Sequence, residues 1–161
     1  MFLFRPLPDG LKRCDASVMA ASVFGVGSFR WASGTAGSLA ALPLALVLPG
    51  PWIKLAGAAL AFALGMASIP KIEKVEHDSR IVVIDEVCGQ LIALMAARNG
   101  NLPDFLAAFL LFRLFDIWKP WPARHFDRNV PGAFGVMMDD VVAGIFAALV
   151  LLGIHIVVPS W

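Results

Sequence analysis

Three apolar stretches of this chain carry carboxylates beside bases or glycines: VIDEVCG (83–89), LLFRLFDIWKPWP (110–122) and MMDDVVAG (137–144). A charge inside a membrane helix costs about 2.5–3.5 kcal/mol or more, so it usually marks a task. The acids concerned are Asp85, Glu86, Asp116, Asp139 and Asp140. Several carboxylates with almost no histidine beside them form a hard oxygen site, suited to magnesium or manganese rather than zinc. In each pair a glycine follows one turn later, Gly89 after Asp85 and Gly144 after Asp140. A small residue on the same face lets a ligand or another helix approach closely. The plainer alternative is that these acids cap helix N-termini or pair with bases at an interface. Their number weighs against it.

Arg113, Asp116 and Lys119 are spaced i, i+3, i+6 and share roughly one helical face before Pro120 ends the helix. This trio is either a self-neutralising cluster or a working one, with Asp116 on a metal and Arg113 and Lys119 on phosphate oxygens. The following PARHFDRN (122–129) adds Arg124, Asp127 and Arg128, and reads as a loop built for an anion. In GTAGSLAALP (34–43), Gly34 and Gly37 free the backbone and Thr35 or Ser38 can cap a new helix. Helix N-termini bind phosphate through unpaired amides. Small residues equally serve helix packing, and the sequence does not choose. No Walker lysine follows. His77 and His125 read as surface histidines of polar loops, with acid–base work as the alternative. His155, deep in the last apolar segment, reads as structural. Cysteine, Asp-x-Asp and histidine-dependent phosphatase arrangements are all missing, so phosphate chemistry here would run on carboxylates and a metal.

The elements that must position these residues are membrane helices. Of 161 residues, 59% are apolar and 16% charged, with a mean hydropathy of +0.78. Soluble domains sit nearer 45–50% apolar and about 25% charged. The length suits one domain over 1–161, and a net charge of +1 excludes a broad electrostatic claim on nucleic acid. Cys14 and Cys88 are expected to stay unpaired, and Arg5, Pro6 and Pro8 interrupt any signal peptide. The fold class expected is all-α: a polytopic bundle with four firm spans, near 52–69, 81–97, 102–118 and 141–158. A marginal fifth lies at 36–49, kinked by Pro43, and an interfacial helix at 15–25. A bilayer core needs about 20 helical residues, so several of these are a little short.

If all five segments cross, one side receives Arg5, Lys12, Arg13, Arg30, Lys71, Lys74, Arg80, Lys119, Arg124 and Arg128, ten of the thirteen Lys and Arg. The other side receives Lys54 and Arg98. By the positive-inside rule the first side is cytoplasmic. The same topology gathers the acids there, with Asp139 and Asp140 opening the last helix. A weak echo between VIDEVCGQLIALM (83–95) and MMDDVVAGIFAAL (137–149) indicates that one local device is used twice.

GTAGSLAALP (34–43), HDSRIVVIDEVCG (77–89), FRLFDIWKPWPARHFDRN (112–129) and GAFGVMMDDVVAG (132–144) together resemble the bacterial phosphatidylglycerophosphatase A family, in order and spacing. They cover about a third of the chain. The resemblance implies a magnesium-dependent lipid phosphatase of the bacterial inner membrane, acting at its cytoplasmic face. Its substrate would be phosphatidylglycerophosphate, and its products phosphatidylglycerol and inorganic phosphate. Asp85, Glu86, Asp116, Asp139 and Asp140 would then hold magnesium and act in catalysis. Thr35, Ser38, Arg113, Lys119 and Arg128 would bind phosphate. Direct attack by water activated at the metal is the preferred route, with an aspartyl-phosphate left open. Its partners would be the substrate and membrane lipids, with oligomeric state open. The rival readings are another phospholipid phosphotransfer reaction, and a small metal or ion transporter, which would spread its acids through the membrane depth.

Overall fold

Proline and glycine punctuate this chain, and the helices start and stop where they do. The computed structural model describes residues 6–7, 10–76 and 79–158. Arg5, Pro8 and His77, weighed above, lie outside them. Helix α1 (Ala16–Ala21) is capped by Asp15, whose carboxylate accepts from the Ser17 amide at 2.8 Å. It is narrower than the expected 15–25, because Val23, Phe24 and Gly25 take left-handed backbone and a 3-10 turn follows at Val26–Ser28. Helix α2 (Ser33–Val47) carries Pro43 inside it, and α3 (Pro51–Glu73) starts on a proline after Gly50 at φ 83°. Helix α4 (Ile84–Ala93) has only ten residues. Helix α5 (Leu102–Trp118) is capped by Asn101, which accepts from the Asp104 amide at 3.0 Å.

Residues 119–140 were expected to be loop, and there the structure differs. Helix α6 (Ala123–Asn129) occupies the basic stretch, and α7 (Ala133–Val157) begins well before the expected position 141. The break between them is Val130, Pro131 and Gly132, the last at φ 76°; AFGVMM after it contains nothing that stops a helix. Asp139 and Asp140 therefore lie in the second turn of α7 and do not open it.

Among the described residues every regular element is a helix. Four full spans do not emerge. Among the described residues, α3 and α7 are the two helices long and apolar enough to cross a membrane. At 1.5 Å per residue, α4 reaches only about 15 Å. It sits at the centre, with α2, α3, α5 and α7 packed around it, and it buries Ile84, Val87, Cys88, Gln90 and Leu91. The outer helices do the reverse. Only 33% of the apolar windows in α3 and α7 is buried. On α5, Leu106, Leu110, Leu114 and Ile117 form an exposed stripe at helical spacing. A soluble protein does not expose continuous apolar faces of this extent, so these surfaces are built to meet lipid and the chain is a membrane protein.

Candidate active site

The centre of the site is a place where two backbones touch. A Cβ on Gly144 of α7 would run into the Gly89 carbonyl of α4. One on Gly89 would sit 2.5 Å from both the Asp140 carbonyl oxygen and the Phe112 ring. These are the glycines one turn beyond the acid pairs, and their missing side chains let α4 and α7 cross at backbone distance. The crossing brings the pairs together. One carboxylate oxygen each from Asp85, Glu86 and Asp140 lies within 4.8 Å of the others.

Three buried oxygens there, Asp85 Oδ1, Glu86 Oε2 and Asp140 Oδ2, have no hydrogen-bond partner. A capping role would have used those atoms, as Asp15 uses its own. Unpartnered buried carboxylates repel one another and are costly unless a cation joins them. The donor set, oxygen only and convergent, fits a hard divalent ion such as magnesium.

Asp85, Glu86, Asp116, Lys119, Asp127, Asp139 and Asp140 line a cavity of about 190 Å³ beside this trio. Asp116 and Asp139 stand slightly apart from the three, each held by a base. Arg113 Nη1 bonds Asp116, and Lys119 Nζ bonds Asp139 and, at 2.6 Å, Asp127. Lys119 reaches both because it takes left-handed backbone (φ 49°, ψ 62°) at the end of α5, its amide still bonded to Phe115 at 2.8 Å. Pro120 prevents the helix from continuing, and the turn aims the lysine back at α6 and α7. Burial works against its charge, but the bonds to Asp127 and Asp139 outweigh burial and hold its pKa above the usual lysine range.

Other expected residues are placed differently. A Cβ on Gly34 would strike Glu86 Oε1 and come within 3.2 Å of Arg113 Nη1, and one on Gly37 would lie 2.9 Å from Val83 Cβ. The glycines of GTAG therefore serve the close approach of α2 to α4. The Ser38 hydroxyl donates to the Gly34 carbonyl at 3.0 Å, and neither Ser38 nor Thr35 lines the cavity. Arg128 and His125 lie exposed on α6, with His125 Nδ1 3.2 Å from Asn129 Nδ2. His155 is remote, its Nε2 3.1 Å from Asp104 Oδ1. Asp104 also accepts from Arg98 at 2.8 Å, a cluster that ties the start of α5 to the end of α7. Nothing in the sequence links Asp104 to a histidine 51 residues away. Asp127 is the site acid that pattern reading passed over, because its neighbours read as loop.

Six carboxylates and a bridging lysine line one cavity in an apolar chain whose described regular elements are helices, a polyacidic site in a membrane protein. The family profile described as phosphatidylglycerophosphatase A matches residues 19–155. The chain is 39% identical to the phosphatidylglycerophosphatase A of Escherichia coli strain K12, over 88% of this chain and 84% of that protein. It is 42% identical to the Haemophilus influenzae protein of the same name, over 82% and 84%. It is 37% identical to a Bacteroides thetaiotaomicron protein provisionally named a phosphatidylinositol-3-phosphatase, over 83% and 90%. No solved structure matches. The chain belongs to the phosphatidylglycerophosphatase A family.

Proposed function

We propose that this protein hydrolyses the terminal phosphate monoester of phosphatidylglycerophosphate, releasing phosphatidylglycerol and inorganic phosphate at the cytoplasmic face of the inner membrane. The observation that carries the reading is the trio of unpartnered carboxylate oxygens from Asp85, Glu86 and Asp140 beside a cavity edged by Lys119. The names of the relatives from Escherichia coli and Haemophilus influenzae support the substrate.

Asp85, Glu86 and Asp140 would hold magnesium, with Asp116 and Asp139 within the same cavity. Bound there, magnesium would supply charge neutralisation at the phosphate and a more acidic water. The chain supplies the rest. Lys119 brings a positive charge to the equatorial oxygens while staying anchored on Asp127 and Asp139. Arg113, fixed on Asp116, adds a second cation behind the α2 N-terminus. As the water oxygen bonds to phosphorus, the ester P–O bond breaks, and the proton that the water gives up is passed on through a carboxylate to the departing glycerol oxygen. Asp116 and Asp139 are placed to accept the proton that the water loses. The cavity opens among the turns that follow α5, where Trp118 and Trp121 are 63% and 80% exposed, as interfacial residues are. A lipid headgroup lies at that depth. The ten bases that a five-crossing topology gathers on the same side support a cytoplasmic placement. In this reading the shorter α2, α4 and α5 complete a multi-pass bundle around the two long helices.

The test is phosphate release from phosphatidylglycerophosphate by the purified protein in detergent, with magnesium, with chelator, and for Asp85→Asn and Asp140→Asn. Release that needs magnesium and is lost in both variants supports the carboxylate–metal site. Full activity in chelator, or in both variants, removes it. The Bacteroides relative's name favours a second reading within the same chemistry, a monoester on an inositol lipid, so phosphatidylinositol 3-phosphate belongs in the same assay.

A further inference from the structure

The carboxylate cavity has a neighbour that the chemistry above does not use. A second cavity, about 220 Å³, is lined by Ser33, Glu73, Ser79 and Arg80 and shares Asp85 and Glu86 with the first. The shared wall matters. A molecule whose reacting end lies on the far side of Asp85 and Glu86 can lay its next few atoms here without leaving the protein.

The lining tells what those atoms should be. Arg80 brings a guanidinium, whose planar fork suits two oxygens of one phosphate. Ser33, which lines this cavity, is the first residue of the fifteen-residue α2, whose preceding residue Ala32 gives no side-chain cap to its first amides. Ser79 is buried and donates to Glu76 at 2.6 Å, leaving its oxygen as an acceptor. Glu73, at the end of α3, adds one carboxylate, a natural acceptor for a hydroxyl. With Asp85 and Glu86 assigned to the metal, the remaining polar lining is one cation, two hydroxyls and the Glu73 carboxylate, which match a singly charged phosphodiester joined to a polyol. They match a doubly charged monoester poorly, because Glu73 would repel it. The other two bases near the site, Lys119 and Arg113, are already engaged by Asp139 and Asp116.

We propose that this second cavity is the subsite for the linker between lipid and reacting phosphate. Arg80 and the first turn of α2 hold the phosphodiester, and Glu73 receives the free hydroxyl of the polyol. The assignment rests on the phosphatase reading and deepens it, making Arg80 and Glu73 the residues that read headgroup identity.

The experiment uses binding as well as turnover, so that the two readings fail separately. Short-chain phosphatidylglycerol carries the diester and polyol without the monoester; inorganic phosphate carries the monoester chemistry alone. Both are titrated calorimetrically into full-length protein in detergent with magnesium, for wild type, Arg80→Ala, Arg80→Lys and Glu73→Gln. Losing one charge-assisted contact is expected to weaken phosphatidylglycerol about 10-fold in Arg80→Ala, with inorganic phosphate within about 2-fold. Arg80→Lys should fall between, since it keeps the charge and loses the fork. Glu73→Gln should weaken phosphatidylglycerol while leaving phosphatidylmethanol, a diester without the polyol, as in wild type. Unchanged phosphatidylglycerol binding in Arg80→Ala overturns the subsite, as does an equal loss of both ligands. If wild type binds both ligands, Arg80→Ala loses phosphatidylglycerol alone, and nothing is hydrolysed, the subsite stands and the phosphatase reading falls.

Discussion

At the scale of single residues, the site separates acids with unpartnered oxygens from acids held by a base. Asp85, Glu86 and Asp140 leave oxygens unpartnered, whereas Asp116 and Asp139 are held by Arg113 and Lys119. Removing one charge from the first group should cost more in metal affinity than in folding. Asp140→Asn is expected to weaken magnesium binding, read calorimetrically, at least about 10-fold while thermal unfolding without metal stays level or moves up, because a buried repulsion is relieved. Lys119 carries a different expectation, with a pH sign. Its pKa is raised on folding, so its contribution to stability is complete below the ordinary lysine value of 10.5 and is lost as pH rises through the higher folded value. Lys119→Met should therefore be less stable than wild type at pH 8, by on the order of 1 kcal/mol. The gap should narrow only in strongly alkaline buffer, as read by paired unfolding curves.

At the scale of elements, the crossing of α4 and α7 does the positioning, and two glycines permit it. Their neighbours are backbone atoms, which cannot swing aside as a side-chain tip can. Gly144→Ala should cost about 1–3 kcal/mol and also lower activity, since moving α7 away from α4 separates Asp140 from Asp85 and Glu86. Gly153 in the same helix has open space around its Cβ position. Gly153→Ala should be neutral or stabilise by up to about 1 kcal/mol through helix propensity. Thermal unfolding of the two variants in one detergent makes the comparison. The paired VIDEVCG and MMDDVVAG patterns announced this device in the sequence. That the two copies face each other was not readable there, because a one-dimensional pattern carries no information about which helix a glycine meets. GTAG went the other way. Its small residues were legible, but only the packing of α2 on Glu86 and Val83 decided that its glycines serve contact.

At the scale of the molecule, a short central helix is surrounded by longer ones whose outer faces are apolar. Leu110 and Leu149 are 64% and 59% exposed. In water such positions tolerate lysine; against lipid the same change costs about 2.5–3.5 kcal/mol. Leu110→Lys and Leu149→Lys should therefore reduce the yield in the membrane fraction, and unchanged yield would speak against a lipid-facing surface. Orientation has its own test. A cysteine at Asn99, in a background lacking Cys14, should label from outside intact spheroplasts, and Cys14 of the otherwise native chain only after lysis.

Composition by itself determined that the chain is helical and lives against lipid, since so few charges cannot cover a soluble surface. Residue type by itself determined that any chemistry would run on carboxylates, because no histidine or cysteine set offers an alternative. Helix starts and stops at Pro51, Asn101 and Pro120 were equally local, as they depend on backbone geometry that each residue carries with it. What only the tertiary structure decided was length and company. Helix α4 spans only ten residues and is buried on most sides by its neighbours, α7 starts at Ala133 because nothing in AFGVMM after Gly132 stops a helix, and α6 forms where charges alone read as loop. Which acids converge unpartnered and which are held by a base depends on contacts between residues 20 to 55 positions apart, such as Lys119 with Asp139 and Asp85 with Asp140. Such contacts are set by how close two backbones can come, and at Gly89 and Gly144 they come to touching.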